Sequence, residues 1–113
     1  MKIYISGGIS KLDPNEARKR FADAEEALTE LGYEVYNPEK IGRMMPNLEY
    51  KQYMRHDINM LLDSDAVVIL PGWETSDGAT AERYLAHACR IPIYNAVEFI
   101  QLKAGIEGRS MII

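Results

Sequence analysis

Asp65-Ala66-Val67-Val68-Ile69-Leu70-Pro71-Gly72 is the stretch that decides how this chain folds. Its apolar run has no polar interruption and stops at Pro-Gly. A half-exposed strand alternates apolar with polar, whereas a strand covered on both faces reads as continuous Val, Ile and Leu. The segment therefore reads as a central parallel strand. Parallel neighbours need crossover connections, so helices are expected before and after it.

Working outward, Lys2 to Ser6 is a β-branched and aromatic run that ends in Gly7-Gly8, a first strand and a glycine turn. Asp13-Pro14-Asn15-Glu16 is a helix start, with Asp as N-cap, Pro at the first helical position and Glu at the third. Ala17, Phe21, Ala24, Leu28 and Leu31 then form one stripe, and Gly32 ends the helix in left-handed conformation. Tyr33 to Tyr36 is a second strand closed by Pro38. Residues 39–46, with Gly42 and Pro46, read as a loop. A second helix is expected from about Leu48 to Leu62, capped by Asn47. After the central strand, Ser76 or Asp77 caps a third helix running to about Arg90. Ile91 to Tyr94 is a fourth strand, and Ala96 to Lys103 a last helix. Gly105 to Ile113 reads as a fifth strand or as an arm onto a neighbouring subunit.

Strict alternation of this kind predicts an α/β three-layer sandwich, flavodoxin-like or Rossmann-like, with a parallel sheet of four to five strands. The expected order is 2-1-3-4, or 2-1-3-4-5 if the tail adds a strand. Strands one and three lie side by side, with their helices on opposite faces. The crevice at their C-terminal ends is where such sheets bind ligands. The loops Ser6 to Lys11 and Pro71 to Asp77 fall there.

At 113 residues the chain fits one domain, 1–113. Its net charge of -4 offers no basic footprint for a nucleic-acid polymer. No apolar run reaches membrane-spanning length. The opening Met1-Lys2-Ile3-Tyr4-Ile5-Ser6 is too short and too β-like for a signal peptide. A single cysteine, Cys89, allows no internal disulfide and fits a reducing compartment, so a cytoplasmic location is expected. His56, His87 and Cys89 do not share a helix face, so no metal site is read.

Glu82 carries the candidate chemistry. It lies in the first turns of the third helix, with Ala79, Ala86 and Cys89 on its face. Small neighbours leave an open slot beside the carboxylate, and the helix N-terminus is expected to keep it ionised. An ionised, poorly solvated carboxylate is a competent nucleophile at an anomeric carbon. A Glu that only complements the helix dipole fits the pattern equally well. Asp57 borders the apolar stripe of its helix and must be paired or shifted in pKa. It is an acid for a leaving base, a holder of a sugar hydroxyl, or half of an ion pair with Arg55, His56 or a residue on another element. Ser6-Gly7-Gly8-Ile9-Ser10 offers free N–H groups and two hydroxyls, a nest suited to phosphate, and Ser76 adds a hydroxyl at a helix start. The glycines equally suit a plain tight turn. Trp73 and Tyr4 could contact a base or sugar, or could simply pack.

These residues resemble the nucleoside 2-deoxyribosyltransferase superfamily, and in motif most closely its 2′-deoxynucleoside 5′-monophosphate N-hydrolases. Three features match in order. Ile5-Ser6-Gly7-Gly8-Ile9-Ser10 follows a first strand, Asp57 stands eight residues before Asp65-Ala66, and Ser76-Asp77-Gly78-Ala79-Thr80-Ala81-Glu82 forms a Ser/Asp-x-Gly-x-x-x-Glu motif. The resemblance spans about residues 2 to 94. It implies Glu82 as nucleophile and Asp57 as the residue that helps the base leave and positions the sugar. It also implies a substrate-binding set of Ser6, Gly7, Gly8, Ile9, Ser10, Ser76 and Gly78. Ser76 stands where the nucleoside transferases tend to carry an Asp. A Ser there suits a phosphate, which a carboxylate would repel. The first loop of the hydrolases carries an Arg where this chain has Ser10-Lys11, and Lys11 supplies charge without bidentate geometry.

The implied function is cleavage or transfer of the N-glycosidic bond of a (deoxy)nucleoside 5′-monophosphate or nucleoside. No cofactor is required, and a homodimer or higher homo-oligomer is expected. Three other readings stand beside it. One is a lysine-decarboxylase-like phosphoribohydrolase, suggested by Gly78-Ala79-Thr80-Ala81-Glu82 but lacking that group's Pro-Gly-Gly loop. Another is a non-catalytic nucleotide-binding module. The last is a structural partner protein that uses Met44-Met45 and the Met-Ile-Ile tail as contacts.

Overall fold

The computed structural model describes residues 1–9 and 11–112, with side chains described through Gly105. β1 (Lys2–Ser6), β2 (Glu34–Tyr36), β3 (Ala66–Ile69) and β4 (Ile93–Asn95) form a four-stranded sheet in the order β2-β1-β3-β4. All three pairings are parallel. The crossovers are α1 (Pro14–Glu30), α2 (Pro38–Arg43) with α3 (Tyr50–Leu62), and α4 (Asp77–Ala88), and α5 (Ala96–Ile112) follows β4.

The period of two along β1 divides the core into two layers. Ile3 and Ile5 join Val68 and Leu70 on the face covered by Phe21 and Leu28 of α1 and by Phe99 of α5. Tyr4 joins Val67 and Ile69 on the other face, covered by Met60 and Leu61 of α3 and by Ala86 of α4. The helices that follow β1 and β3 thus lie on opposite faces, as right-handed crossovers in this strand order require. Every residue of β3 is buried, as its uninterrupted apolar run predicts.

Local chemistry sets the helix ends. The Asp13 carboxylate accepts from Asn15 N at 2.9 Å and Glu16 N at 3.2 Å, with Pro14 at the first helical position. Gly32 follows α1 with φ 94°, the left-handed residue expected there. Ser76 caps α4 through its Oγ, which accepts from Ala79 N at 3.2 Å.

Three segments differ from the sequence reading. Residues 39–46 are not all loop, because Asn37 accepts from Lys40 N at 3.1 Å and starts α2 with Pro38 at its first position. The signal was the same Asx-Pro pair that starts α1, outweighed by Gly42 and Pro46. Asn47 does not cap α3. It adopts φ 67°, and Glu49 is the N-cap, its N–H donating to the Gln52 side chain at 2.8 Å. The stretch from Gly105 adds no fifth strand, since α5 runs on to Ile112. Gly105 alone was too weak a breaker to end that helix. Ile113 lies outside the described residues.

Gly7 closes the crevice between β1 and β3. A Cβ there would stand 3.0 Å from Leu70 Cβ and 3.1 Å from Leu70 Cδ1, while Leu70 N donates to Ser6 O at 2.8 Å. Leu70 Cβ sits on backbone held by that bond and cannot yield. Gly7→Ala is expected to lower unfolding free energy by about 1–3 kcal/mol, measured by urea denaturation. An unchanged midpoint would show that the two strand ends can separate at little cost.

Candidate active site

Glu82 projects from the buried stripe of α4, with Ala79 one turn before it and Ala86 one turn after. It is 5% exposed. Across from it, Tyr4 and Ser6 are both fully buried, and their spacing of two puts them on one face of β1. The Tyr4 hydroxyl donates to Glu82 Oε2, and the Ser6 hydroxyl donates to Glu82 Oε1 at 2.8 Å. Each carboxylate oxygen therefore has one hydroxyl donor. Burial, then the Glu82 and Asp57 carboxylates, hold the Tyr4 phenol well above its ordinary range, so it keeps its proton and remains a donor.

Burial pushes Glu82 up from 4.5 to about 7, against the opposing pull of the Tyr4 and Ser6 hydrogen bonds. The nearby Asp57 carboxylate adds to the rise. The sequence expectation that the helix N-terminus keeps Glu82 ionised is corrected here. Glu82 is the sixth residue of α4, beyond the first turn where the helix dipole acts, and desolvation prevails. Asp57, on α3, is raised by burial from 3.8 to about 6. It has no ion-pair partner among the described residues, which leaves the pairing alternative without support.

Both carboxylates line a cavity of about 470 Å³, within the usual range for small-molecule sites. Gly7 and Ile9 contribute from the first loop, and Ser76, Gly78 and Ala79 from the start of α4. A Cβ on Gly78 would sit 3.5 Å from both Met54 Sδ and Tyr50 Oη, ordinary contact distance, so the start of α4 lies directly against α3. A Cβ on Gly8 would lie 3.6 Å from Ser76 Cβ, so the first loop and the α4 start face each other.

Other predicted site residues fall elsewhere. Ser6 faces Glu82, and its hydroxyl is engaged there instead of being offered to a phosphate. Tyr4 is likewise a carboxylate clamp with no exposed surface, not a wall for a base. Trp73 does not line the cavity. It packs against the Tyr4–Met60 side of the core, with the Arg83 guanidinium 4.8 Å from its ring centroid. Ser10 lies outside the described residues.

Beyond Asp57, the sequence reading missed the contribution of α2 and α3 to the opposite wall. Pro38, read as the close of the second strand, lines the cavity together with Glu39 and Arg43 from the segment read as loop, and Tyr50, Tyr53 and Met54 line it from α3. The Asn37-Pro38 cap was the available signal. For the grip on Glu82, the signal was two hydroxyl residues, Tyr4 and Ser6, at i and i+2 on one face of a buried strand.

A family model described as a domain of unknown function, DUF4406, matches residues 1–95. The chain belongs to the DUF4406 family. The match takes in every strand, both carboxylates and the clamping hydroxyls of this DUF4406 domain. No curated protein sequence matches it. Among solved structures it is similar to a 2-deoxyribosyltransferase from the psychrotolerant bacterium Bacillus psychrosaccharolyticus, described as a biocatalyst for nucleoside synthesis. The TM-score is 0.66 at 19% identity, over 82% of this chain and 69% of that one. The likeness shows that the DUF4406 chain shares that enzyme's flavodoxin-like fold. No helix among the described residues is long and apolar enough to cross a membrane.

A carboxyl whose pKa is higher in the folded chain than in the unfolded one binds its proton more tightly when folded. Across the window from 4.5 to about 7, Glu82 therefore takes stability away as pH rises. Glu82→Gln, which cannot ionise, is expected to melt progressively higher relative to wild type as pH is raised from about 5 to about 8. A pH-independent difference between the two melting curves would mean that Glu82 ionises in the folded protein as it does in water.

Proposed function

We propose that this protein cleaves or transfers the N-glycosidic bond of a (deoxy)nucleoside or its 5′-monophosphate, with Glu82 as nucleophile. The observation that carries the reading is the grip on Glu82. A carboxylate is buried at a cavity wall, each oxygen aligned by a hydroxyl, with Asp57 lining the same cavity. A purely dipole-complementing Glu would sit in water in the first turn.

One Glu82 oxygen attacks the anomeric carbon as the carbon–nitrogen bond breaks, and the electron pair leaves on the base nitrogen. Asp57 gives that nitrogen its proton. Water, activated by the now ionised Asp57, then attacks the same carbon and frees Glu82. A second base in place of water gives transfer instead. Two carboxyls dividing nucleophile and acid roles is the logic of retaining glycosidases. Tyr4 and Ser6 hold Glu82 at a fixed angle in both steps. The 5′ end, with its phosphate where present, rests between Gly7, Gly8 and the start of α4. Backbone N–H groups and the helix N-terminus favour an anion there.

The active form needs Glu82 ionised and Asp57 protonated. With Asp57 near 6 and Glu82 near 7, the pair titrates in the reverse of the productive order. The pH profile of kcat/KM is therefore expected to be a narrow bell with its maximum between those values.

Chromatographic assay over a panel of nucleosides and monophosphates, with and without a second free base, tests the reading. Glu82→Ala is expected to lose about a thousandfold or more in kcat. Asp57→Asn is expected to lose about 100-fold or more and to abolish the alkaline limb of the bell. Wild-type activity in Glu82→Ala would remove it as nucleophile. Preference for ribonucleotide monophosphates would favour the phosphoribohydrolase reading.

A further inference from the structure

The segment between β2 and α3 gives the cavity a pair of opposite charges. Glu39 and Arg43 lie one turn apart on α2, and both line the cavity. Arg43 Nε donates to Glu39 Oε2 at 2.8 Å. The Glu39 side chain is 6% exposed, and its Oε1 is buried with no hydrogen-bond partner. An acceptor shut away from water without a partner costs free energy, and folded chains keep few of them. Arg43 balances the charge but leaves this oxygen unsatisfied.

The pair is also held in place. Asn37 caps the start of α2, and just past its end the Tyr53 hydroxyl donates to Met45 O at 2.6 Å. A carboxyl carried on a helix anchored at both ends, lining a cavity and keeping one oxygen without a partner, has the character of a recognition group. The terminal torsion of a Glu is soft, so a small turn of the carboxyl brings Oε1 to a ligand.

We propose that Glu39, oriented by Arg43, is the specificity-determining residue of this cavity and accepts a hydrogen bond from the exocyclic amine of a nucleobase. The proposal rests on the cavity being a nucleoside site. An ionised carboxylate can only accept hydrogen bonds. The amine of cytosine or adenine points N–H groups at it. Uracil and hypoxanthine carry a carbonyl at the same ring position, whose lone pairs face the carboxylate and are repelled. The ring shapes are otherwise nearly equal, so this exchange isolates the hydrogen bond from size. Sites built to hydrogen-bond a substrate group reject the analogue that lacks it far more strongly than sites that sense shape alone.

The test uses the full chain with two matched pairs, 2′-deoxycytidine against 2′-deoxyuridine and 2′-deoxyadenosine against 2′-deoxyinosine. The readout is kcat/KM where turnover occurs and calorimetric Kd where it does not. Wild type is expected to favour the amine member of each pair by about tenfold or more. Glu39→Gln, whose amide both donates and accepts, is expected to bring the two members within about threefold while keeping its melting temperature near wild type. Equal treatment of the two members by wild type overturns the proposal, and that result needs no variant to fold. A uniform loss on all four nucleosides in Glu39→Gln also overturns it, because a structural role alone gives that pattern. Preferential binding of the amines without turnover supports Glu39 as reader and removes the catalytic proposal. Turnover without preference does the reverse, and neither binding nor turnover of any nucleoside overturns both.

Discussion

Two hydroxyls from one strand gripping one carboxylate from a distant helix is the interaction on which the site depends. Tyr4 and Ser6 reach Glu82 across sequence separations of 78 and 76 residues. A carboxylate at 5% exposure cannot be left without donors, because unpaired buried charge costs several kcal/mol. The donors offset part of that cost, and burial together with the nearby Asp57 carboxylate still pushes Glu82 up to about 7. The same residues thus hold the group rigidly and leave it poised near neutrality, which is where acid–base and nucleophilic chemistry is most effective.

That grip is a product of the sheet. β3 must be central and apolar on both faces so that α1 and α4 can pack on opposite sides. β1 must lie beside it so that Tyr4 and Ser6 face α4. Gly7 must lack a side chain so that the two strand ends can close against Leu70. Each requirement is ordinary packing, yet together they bring a buried acid to the crevice at the strand ends, where this class of sheet binds ligands.

The cavity's other wall follows a different rule. It comes from α2 and α3, the double connection between β2 and β3, and carries Asp57, the tyrosines and the Glu39–Arg43 pair. The two sides divide the work. β1 and α4 supply the buried Glu82 carboxylate and its hydroxyl supports, while α2 supplies an opposite-charge pair at the cavity wall. An Arg absent from the first loop is present in the cavity from α2, though its Nε is already committed to Glu39.

The continuous apolar run of β3, the Asp13-Pro14 helix start and the alternating element order were legible because they rest on local periodicity and capping. By these the sequence determined the parallel α/β class, the strand order, the small-residue helix face that carries Glu82, and the place of Asp57 at the border of an apolar stripe. The extent of α2 was less legible, since Gly42 and Pro46 masked the Asn37 cap. Only the tertiary structure decided that Tyr4 and Ser6 serve Glu82 instead of a ligand, that Trp73 packs away from the cavity, and that Glu82 is pushed up instead of held ionised. The physical reason is one of range. Periodicity and caps act within a few residues, whereas desolvation and hydrogen bonds between β1 and α4 arise only once distant segments have docked and excluded water.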